Sequence, residues 1–312
     1  MIAFGCSITK PDVYARCAEG GLRRAAEPNS QIFAERSVGT LFESYNRLMD
    51  EAAGLDGLEA LVLLHQDTEL VDANFCNKVR EGLRDPQVGV LGCVGAIGVR
   101  SIAWWEGSVT LASFIHRYEE HGGGDLPAFS WAWADAPPYA RIGEVETLDG
   151  FLLAISPWVV QNIRFDESLG RLHGYDLDFC LQIREAGRKV MTADFRAIHH
   201  HSLELVNDPE EWIEAHIKMA DKWEGRIHGI GAGAGTWKQR ALRAEAETDA
   251  AWLNHYRTQQ LTEARVRDLQ RALGSATDSI SWRITAPLRR INRVRRRVRP
   301  RLRHLEARSE QG

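Results

Sequence analysis

Apolar positions in this chain form short unbroken runs that alternate with stretches of helical period. Residues 2–8 (Ile-Ala-Phe-Gly-Cys-Ser-Ile) have the length and content of a strand, and the turn-like Thr9-Lys10-Pro11-Asp12 follows. Residues 39–53 place Leu41, Tyr45, Leu48 and Ala52 on one face, which predicts an amphipathic helix. Ala60–Leu64 is apolar throughout and ends in His65, Gln66 and Asp67, the pattern of a buried parallel strand with a site at its carboxyl end. Residues 72–84 predict a further helix, and 88–98 a glycine-punctuated buried strand. Residues 103–109 carry Trp104 and Trp105 into position to cover a sheet edge. The alternation predicts an α/β sandwich.

Further along, residues 119–141 combine Gly, Pro and aromatics, including Trp131 and Trp133. That composition suits either a loop that closes over a ligand or a plain surface loop. Residues 175–187 read as a helix of about three turns, opened by Asp176 and Asp178 near the positive end of the dipole and closed by Gly187. The extended run from Lys189 delivers His199, His200 and His201 at its far end. Residues 209–223 are a strongly patterned helix. The glycine stretch 228–235 imitates a dinucleotide fingerprint, but no strand precedes it within a βαβ unit, so it reads as a linker. Residues 238–273 contain neither Pro nor internal helix stop and predict a long exposed stalk; its imperfect heptads leave open whether it pairs as a homodimer.

Charge divides the chain. From residue 237 onward 18 Lys and Arg stand against 8 Asp and Glu, a net +10 that leaves the preceding 236 residues at −14. Ten arginines lie between Arg283 and Arg303 with no acid among them. Ile284, Leu288, Ile291, Val294, Val298, Leu302 and Leu305 recur between them at steps of three or four, a basic amphipathic helix with Pro300 as a kink. Such a segment, residues 280–305, fits an anionic membrane surface better than nucleic acid. No window approaches the roughly 18 apolar residues of a spanning helix. The five cysteines are odd in number, scattered and without a CxxC pair, as reduced core thiols are. The expected location is the cytoplasm, peripheral on the inner face of the membrane.

Taken by themselves, the two carboxylates at the mouth of the 175–187 helix can hold a base or a cation, and the polar cap His65-Gln66-Asp67 is either a site or a turn. The order Leu148-Asp149-Gly150, Phe165-Asp166-Glu167, Gly174-Tyr175-Asp176-Leu177-Asp178, Arg184-Glu185-Ala186-Gly187 and Ala193-Asp194-Phe195-Arg196-Ala197-Ile198-His199 resembles the second half of the catalytic domain of family 2 glycosyltransferases. The resemblance covers roughly residues 1–225 and is densest over 145–201. It implies a GT-A type nucleotide-binding α/β/α sandwich with a mixed, mainly parallel sheet. The chain then divides as catalytic domain 1–227, linker 228–236, stalk 237–278 and basic tail 279–312.

The resemblance also implies roles. Asp67 matches the second acid of the family's strand-end Asp-x-Asp motif, which holds Mg or Mn against the donor diphosphate; His65 stands where the first acid belongs, so charge is lost there. His199 falls where many members place a metal-ligating histidine, and His200 is the second choice. Cys6 and Ser7 occupy the nucleotide-base position, and Asn46 resembles the family's phosphate-side Asn, with Tyr45 in place of Arg. Asp149 and Gly150 lie beside sugar and acceptor, with Trp105, Tyr175 and Asp178 in the same group; Asp178 also suits a capping role. Asp176 matches the general base of inverting members, with Tyr175 where the family often has Glu. The segment 279–289 (Ser-Ile-Ser-Trp-Arg-Ile-Thr-Ala-Pro-Leu-Arg) resembles a tail found after many bacterial cell-envelope glycosyltransferases. The implied activity is inverting transfer of a sugar from a nucleotide-diphosphate donor to an envelope polysaccharide or lipid-linked acceptor. Rival readings are a sugar-nucleotide-binding protein that has lost catalysis, a membrane scaffold that uses stalk and tail, and a metal-dependent phosphoesterase built on Asp67, Asp176 and His199.

Overall fold

The structure, a computed structural model, describes residues 1–99, 102–104, 109–112, 114–118, 124–126, 142–201, 208–223, 226 and 237–285. The chain divides into two compact units, residues 1–234 and 235–312. Trp105, Trp131, Trp133, most of the 119–141 stretch and the tail beyond residue 285 lie outside the described residues.

The first unit is built on a six-stranded mixed sheet in the order β12-β5-β11-β3-β1-β2. Its strands are β1 (Ile2–Ile8), β2 (Gln31–Arg36), β3 (Ala60–Leu64), β5 (Val88–Gly92), β11 (Leu152–Ile155) and β12 (Lys189–Thr192). All neighbours are parallel except β11, which runs antiparallel to both β3 and β5. Every residue of β3 is buried, as a central strand covered on both faces requires. Successive residues of β1 show the two covering layers: Phe4 meets Phe75 of α3 (Phe75–Gly82), and Gly5 faces Leu48 of α2 (Leu41–Ala53). With α1 (Pro11–Ala25), α4 (Pro157–Asn162), α5 (Tyr175–Glu185) and α6 (Pro209–Lys222), this is an α/β/α sandwich with a mixed, mainly parallel sheet.

Local chemistry explains the elements nearest the site. α2 opens on a capping box: the Thr40 hydroxyl accepts from Glu43 N–H at 3.1 Å while the Glu43 carboxylate accepts from Thr40 N–H at 2.6 Å. α5 starts after Gly174, whose φ of 79° is the left-handed conformation that glycine adopts without strain.

Two predicted elements are corrected. The single strand over 88–98 is two, β5 and β6 (Val94–Ile97): the chain leaves the large sheet at Cys93, and β6 joins a three-stranded sheet with β7 (Val109–Ala112) and β10 (Thr147–Leu148). β5 is buried throughout and β6 up to Ala96, so the apolar run gave no sign of the break. The helix over 72–84 begins at Phe75, because the Asp72 carboxylate accepts from Asn74 N–H and pairs with Lys78, which holds the preceding turn. A four-stranded sheet, β4 (Thr68–Leu70), β13 (Ala197–His201), β8 (Phe114–Tyr118) and β9 (Gly124–Leu126), completes the first unit's sheets.

The second unit holds α7 (Trp237–Asp278), 42 residues long, and the short α8 (Ile280–Ile284). Leu261, Val266, Leu269 and Leu273 are exposed on α7. Among the described residues no helix is long and apolar enough to cross a membrane.

Candidate active site

β3 ends at Leu64, and the chain turns through His65, Gln66 and Asp67 into β4. The turn is fixed from outside: His65 N–H donates to the Phe151 carbonyl at 2.9 Å, and the Thr68 hydroxyl donates to the same oxygen at 3.2 Å. β13 runs antiparallel to β4 with His199 opposite Thr68, which carries the His199 ring to Asp67. That ring is buried and stacks on Phe151, centroids 4.5 Å apart and planes 11° from parallel. His199 Nε2 lies 3.5 Å from Asp67 Oδ1, and His65 Nδ1 lies 3.9 Å from the same oxygen. One ligand atom from each of the three residues falls within 4.8 Å of the others.

Ligand atoms around a small divalent cation sit roughly 3 Å apart in an octahedral array. The Asp67 separations from both imidazoles are within about 1 Å of that spacing, so the trio fits a cation. Two imidazoles and one carboxylate are a mixed nitrogen and oxygen donor set, unlike the all-oxygen set that Mg prefers. Burial by itself lowers the pKa of the His199 imidazolium; the hydrogen bond and charge of Asp67, with the charge of Asp149, outweigh it and the net displacement is upward.

His200 is placed differently. Alternation along β13 turns it from the trio, and its Nε2 lies 3.0 Å from Glu69 Oε2.

A second group surrounds the start of α5. Asp176 is buried; its Oδ2 accepts from Gly150 N–H at 3.1 Å and its Oδ1 from Leu177 N–H at 2.9 Å. Burial first, and the charge of Asp149 second, push its carboxyl up to about 7 in spite of those N–H bonds. Asp149 accepts from Phe151 N–H at 3.1 Å, and burial raises its carboxyl as well, opposed by His199. The two groups touch through Tyr175, whose hydroxyl lies 2.7 Å from His65 Nε2. Gly150 is the residue that permits this packing: a Cβ there would strike the Tyr175 hydroxyl and ring.

Beside His65 and Asp67 opens a cleft of about 390 Å³, walled also by Ser7, Thr9, Tyr45, Gln66, Arg171 and Glu211. Gln66 ties its floor together, accepting from Thr9 and Lys10 N–H and donating to the Thr9 hydroxyl at 2.7 Å. Three buried polar atoms facing it, Ser7 Oγ, Tyr45 OH and Glu211 Oε1, have no hydrogen-bond partner among the described residues.

Several expected site residues lie elsewhere. Cys6 is buried behind the wall, its thiol pushed up to about 12 by burial and by the charge of Asp67. Asn46 spends its amide on the Phe165 backbone, at 2.9 and 2.8 Å, and on Glu167; it pins α2 to the segment before the 3-10 turn Glu167–Leu169. Asp178 is fully buried and receives Lys222 at 2.7 Å, Trp223 Nε1 at 2.8 Å and Gln182 at 2.7 Å, a tie between α5 and the end of α6. Trp104 is core. Conversely, Tyr45, Arg171 and Glu211 were not expected in the cleft. Tyr45 is buried on the apolar face of α2 and is also one of the residues that line the cleft.

The sequence model of the Glycosyltransferase like family matches residues 8–222. Streptomycin biosynthesis protein StrF of Streptomyces griseus is 31% identical over 209 residues, 65% of this chain and 67% of that one. O-antigen biosynthesis protein RfbC of Myxococcus xanthus is 26% identical over 187 residues, 58% of this chain and only 13% of its own length. Among solved structures, GalNAc-T7 with UDP, GalNAc and Mn2+ is similar at a TM-score of 0.50 and 10% identity, over 72% of this chain and 48% of that one, a likeness of fold.

Proposed function

This chain belongs to the Glycosyltransferase like family and is a glycosyltransferase of GT-A type fold, and from that premise we propose that it transfers a sugar with inversion from a nucleotide-diphosphate donor to a glycan or lipid-linked acceptor of the cell envelope. The observation that carries the reading is the convergence of His65, Asp67 and His199, the first two of which line the cleft, with Asp176 next to Tyr175, which touches His65.

The cleft receives the nucleotide, with Gln66 holding the ends of β1 and β3 in register beneath it. Asp67, His199 and His65 would hold a divalent cation, Mn or Mg, which when bound supplies positive charge against the departing diphosphate. Asp176 takes the proton of the acceptor hydroxyl as that oxygen bonds to the anomeric carbon. The bond from that carbon to the diphosphate breaks on the opposite side, and the nucleoside diphosphate leaves with the electron pair. A carboxyl raised to about 7 is a matched base at neutral pH, since it is substantially ionised yet binds a proton well. Burial raises it first, and Asp149, anchored by Phe151 N–H, adds the nearby charge.

RfbC's part in O-antigen biosynthesis supports an envelope acceptor. The likeness to StrF favours a second acceptor class, a soluble small molecule. The basic segment 280–305 favours the first: ten arginines without an acid suit an anionic inner leaflet, where each is worth about 1 kcal/mol. The test is calorimetric titration of the full chain with UDP, GDP and dTDP and their glycosylated forms, with Mn, with Mg and with chelator. Metal-dependent binding of one of them, lost in Asp67→Ala, supports the reading, and absence of binding to all of them refutes it.

A further inference from the structure

The residue before the base is built into the fold as firmly as any in the core. Tyr175 is 6% exposed. Its ring is held by Phe42 at 6.1 Å and 79°, by Tyr45 at 5.8 Å and 75° and by Phe165 at 6.1 Å and 50°, and the Gly150 backbone closes the remaining side. The phenol cannot swing without displacing three aromatic rings or a strand end. Its hydroxyl has one partner among the described residues, His65 Nε2 at 2.7 Å. A rigid phenol bonded to one edge of an imidazole fixes the plane of that imidazole and therefore the direction of its other nitrogen, Nδ1, which is the one 3.9 Å from Asp67.

We infer that Tyr175 is a positioning residue: its hydroxyl oxygen accepts from His65 Nε2–H, which keeps the proton off Nδ1 and aims that lone pair at the space shared with Asp67 and His199. Only the tautomer protonated at Nε2 offers Nδ1 to a cation, and in that tautomer the Nε2–H has the phenol oxygen, which can accept as well as donate, within hydrogen-bond distance. One residue of α5 thus orients a cation ligand while its neighbour Asp176 is held by Gly150, and the helix start sets both halves of the site at once. This rests on the cation reading proposed above.

The test is Mn2+ affinity of the full chain, read from loss of the free-ion electron paramagnetic resonance signal with UDP and separately with GDP, in wild type, Tyr175→Phe, His65→Ala and the double variant. Phe keeps the ring and its packing. The expected result is a rise in the Mn2+ Kd of about tenfold in Tyr175→Phe, the scale of losing a partner that orients a metal ligand. In the His65→Ala background the same change should have no further effect. An unchanged Kd in Tyr175→Phe, or a loss of equal size in the His65→Ala background, overturns the inference. Wild-type chain tests it independently: nitrogen-15 correlation spectra with Mg2+ bound should show His65 protonated at Nε2, and protonation at Nδ1 overturns it. Failure of wild type to bind Mn2+ with either nucleotide rejects the cation reading itself, an outcome distinct from failure of the Tyr175 arm.

Discussion

Asp176→Asn separates activity from stability. Burial and Asp149 raise the Asp176 carboxyl from an ordinary 3.8 to about 7, so the folded chain carries an ionised group that it would rather not ionise. A folded pKa above the unfolded one contributes stability that is fully present below the unfolded value and is lost as pH rises through the folded value. A rise of about three pH units, at about 1.4 kcal/mol each, makes that loss on the order of 4 kcal/mol above pH 7. Asn is neutral and its side-chain oxygen can still accept from Gly150 N–H, so the substitution removes the loss. The variant should therefore be more stable than wild type at pH 8, by about 2–4 °C per kcal/mol for a unit of this size, and the difference should shrink to nothing as pH falls from 7 toward 4. Transfer should drop by about 10²–10⁴-fold, the contribution of a general base, with donor affinity within about twofold of wild type. In wild type the rate should climb with pH and level off above 7, and Asp149→Asn should move that limb to lower pH. Thermal unfolding between pH 4 and 8, with a transfer assay on the same samples, measures all of this. A variant less stable than wild type at pH 8, or one that retains full transfer, refutes the assignment.

Other consequences are smaller in scope. Lys222→Met leaves the buried Asp178 with Trp223 and Gln182 alone and should cost about 3 kcal/mol, roughly 6–12 °C in Tm; because burial already raises the Asp178 carboxyl, the deficit should narrow as pH falls and the group protonates. Tyr45→Phe removes a buried hydroxyl that has no partner among the described residues and should stabilise the unliganded chain by about 1 kcal/mol in denaturant titration; a loss of stability would show that the hydroxyl is satisfied within the fold. Deleting residues 280–312 should weaken partition onto phosphatidylserine-containing vesicles in sedimentation, and unchanged partition would reject the membrane role of the tail.

How much of this was legible in the sequence depended on distance along the chain. The strand that ends before His65 and the helix that carries Asp176 in its first turn were visible, because each is a local apolar pattern with polar punctuation; the extended run from Lys189 to His199 is instead two strands, β12 and β13, in different sheets. β2 was not visible, since as an edge strand its only apolar run is the three residues Ile32–Ala34, none of them fully buried, and α1 was hidden by its charged face. The bond between His65 and Tyr175 spans 110 residues, so no local pattern could report it. Asn46 had the right residue type near the right place, yet its amide is claimed by Phe165, 119 residues on.

The pair Asp176 and Asp178 shows where sequence geometry alone had more to give. Residues two apart on an α-helix are separated by about 200° around its axis, so two such carboxylates cannot face one ligand. One of them had to look away from the site. The structure assigns the sides: Asp176 turns to the Gly150 backbone beside Asp149, and Asp178 turns to Lys222 and Trp223 at the end of α6, 45 residues on from Asp178 in the case of Trp223. Burial raises both carboxyls, but a cation and an indole N–H meet Asp178 and leave it occupied, whereas Asp176 meets backbone N–H groups at the start of the helix. The division between the proposed base and the brace is thus set by helical rotation and by where the donors sit.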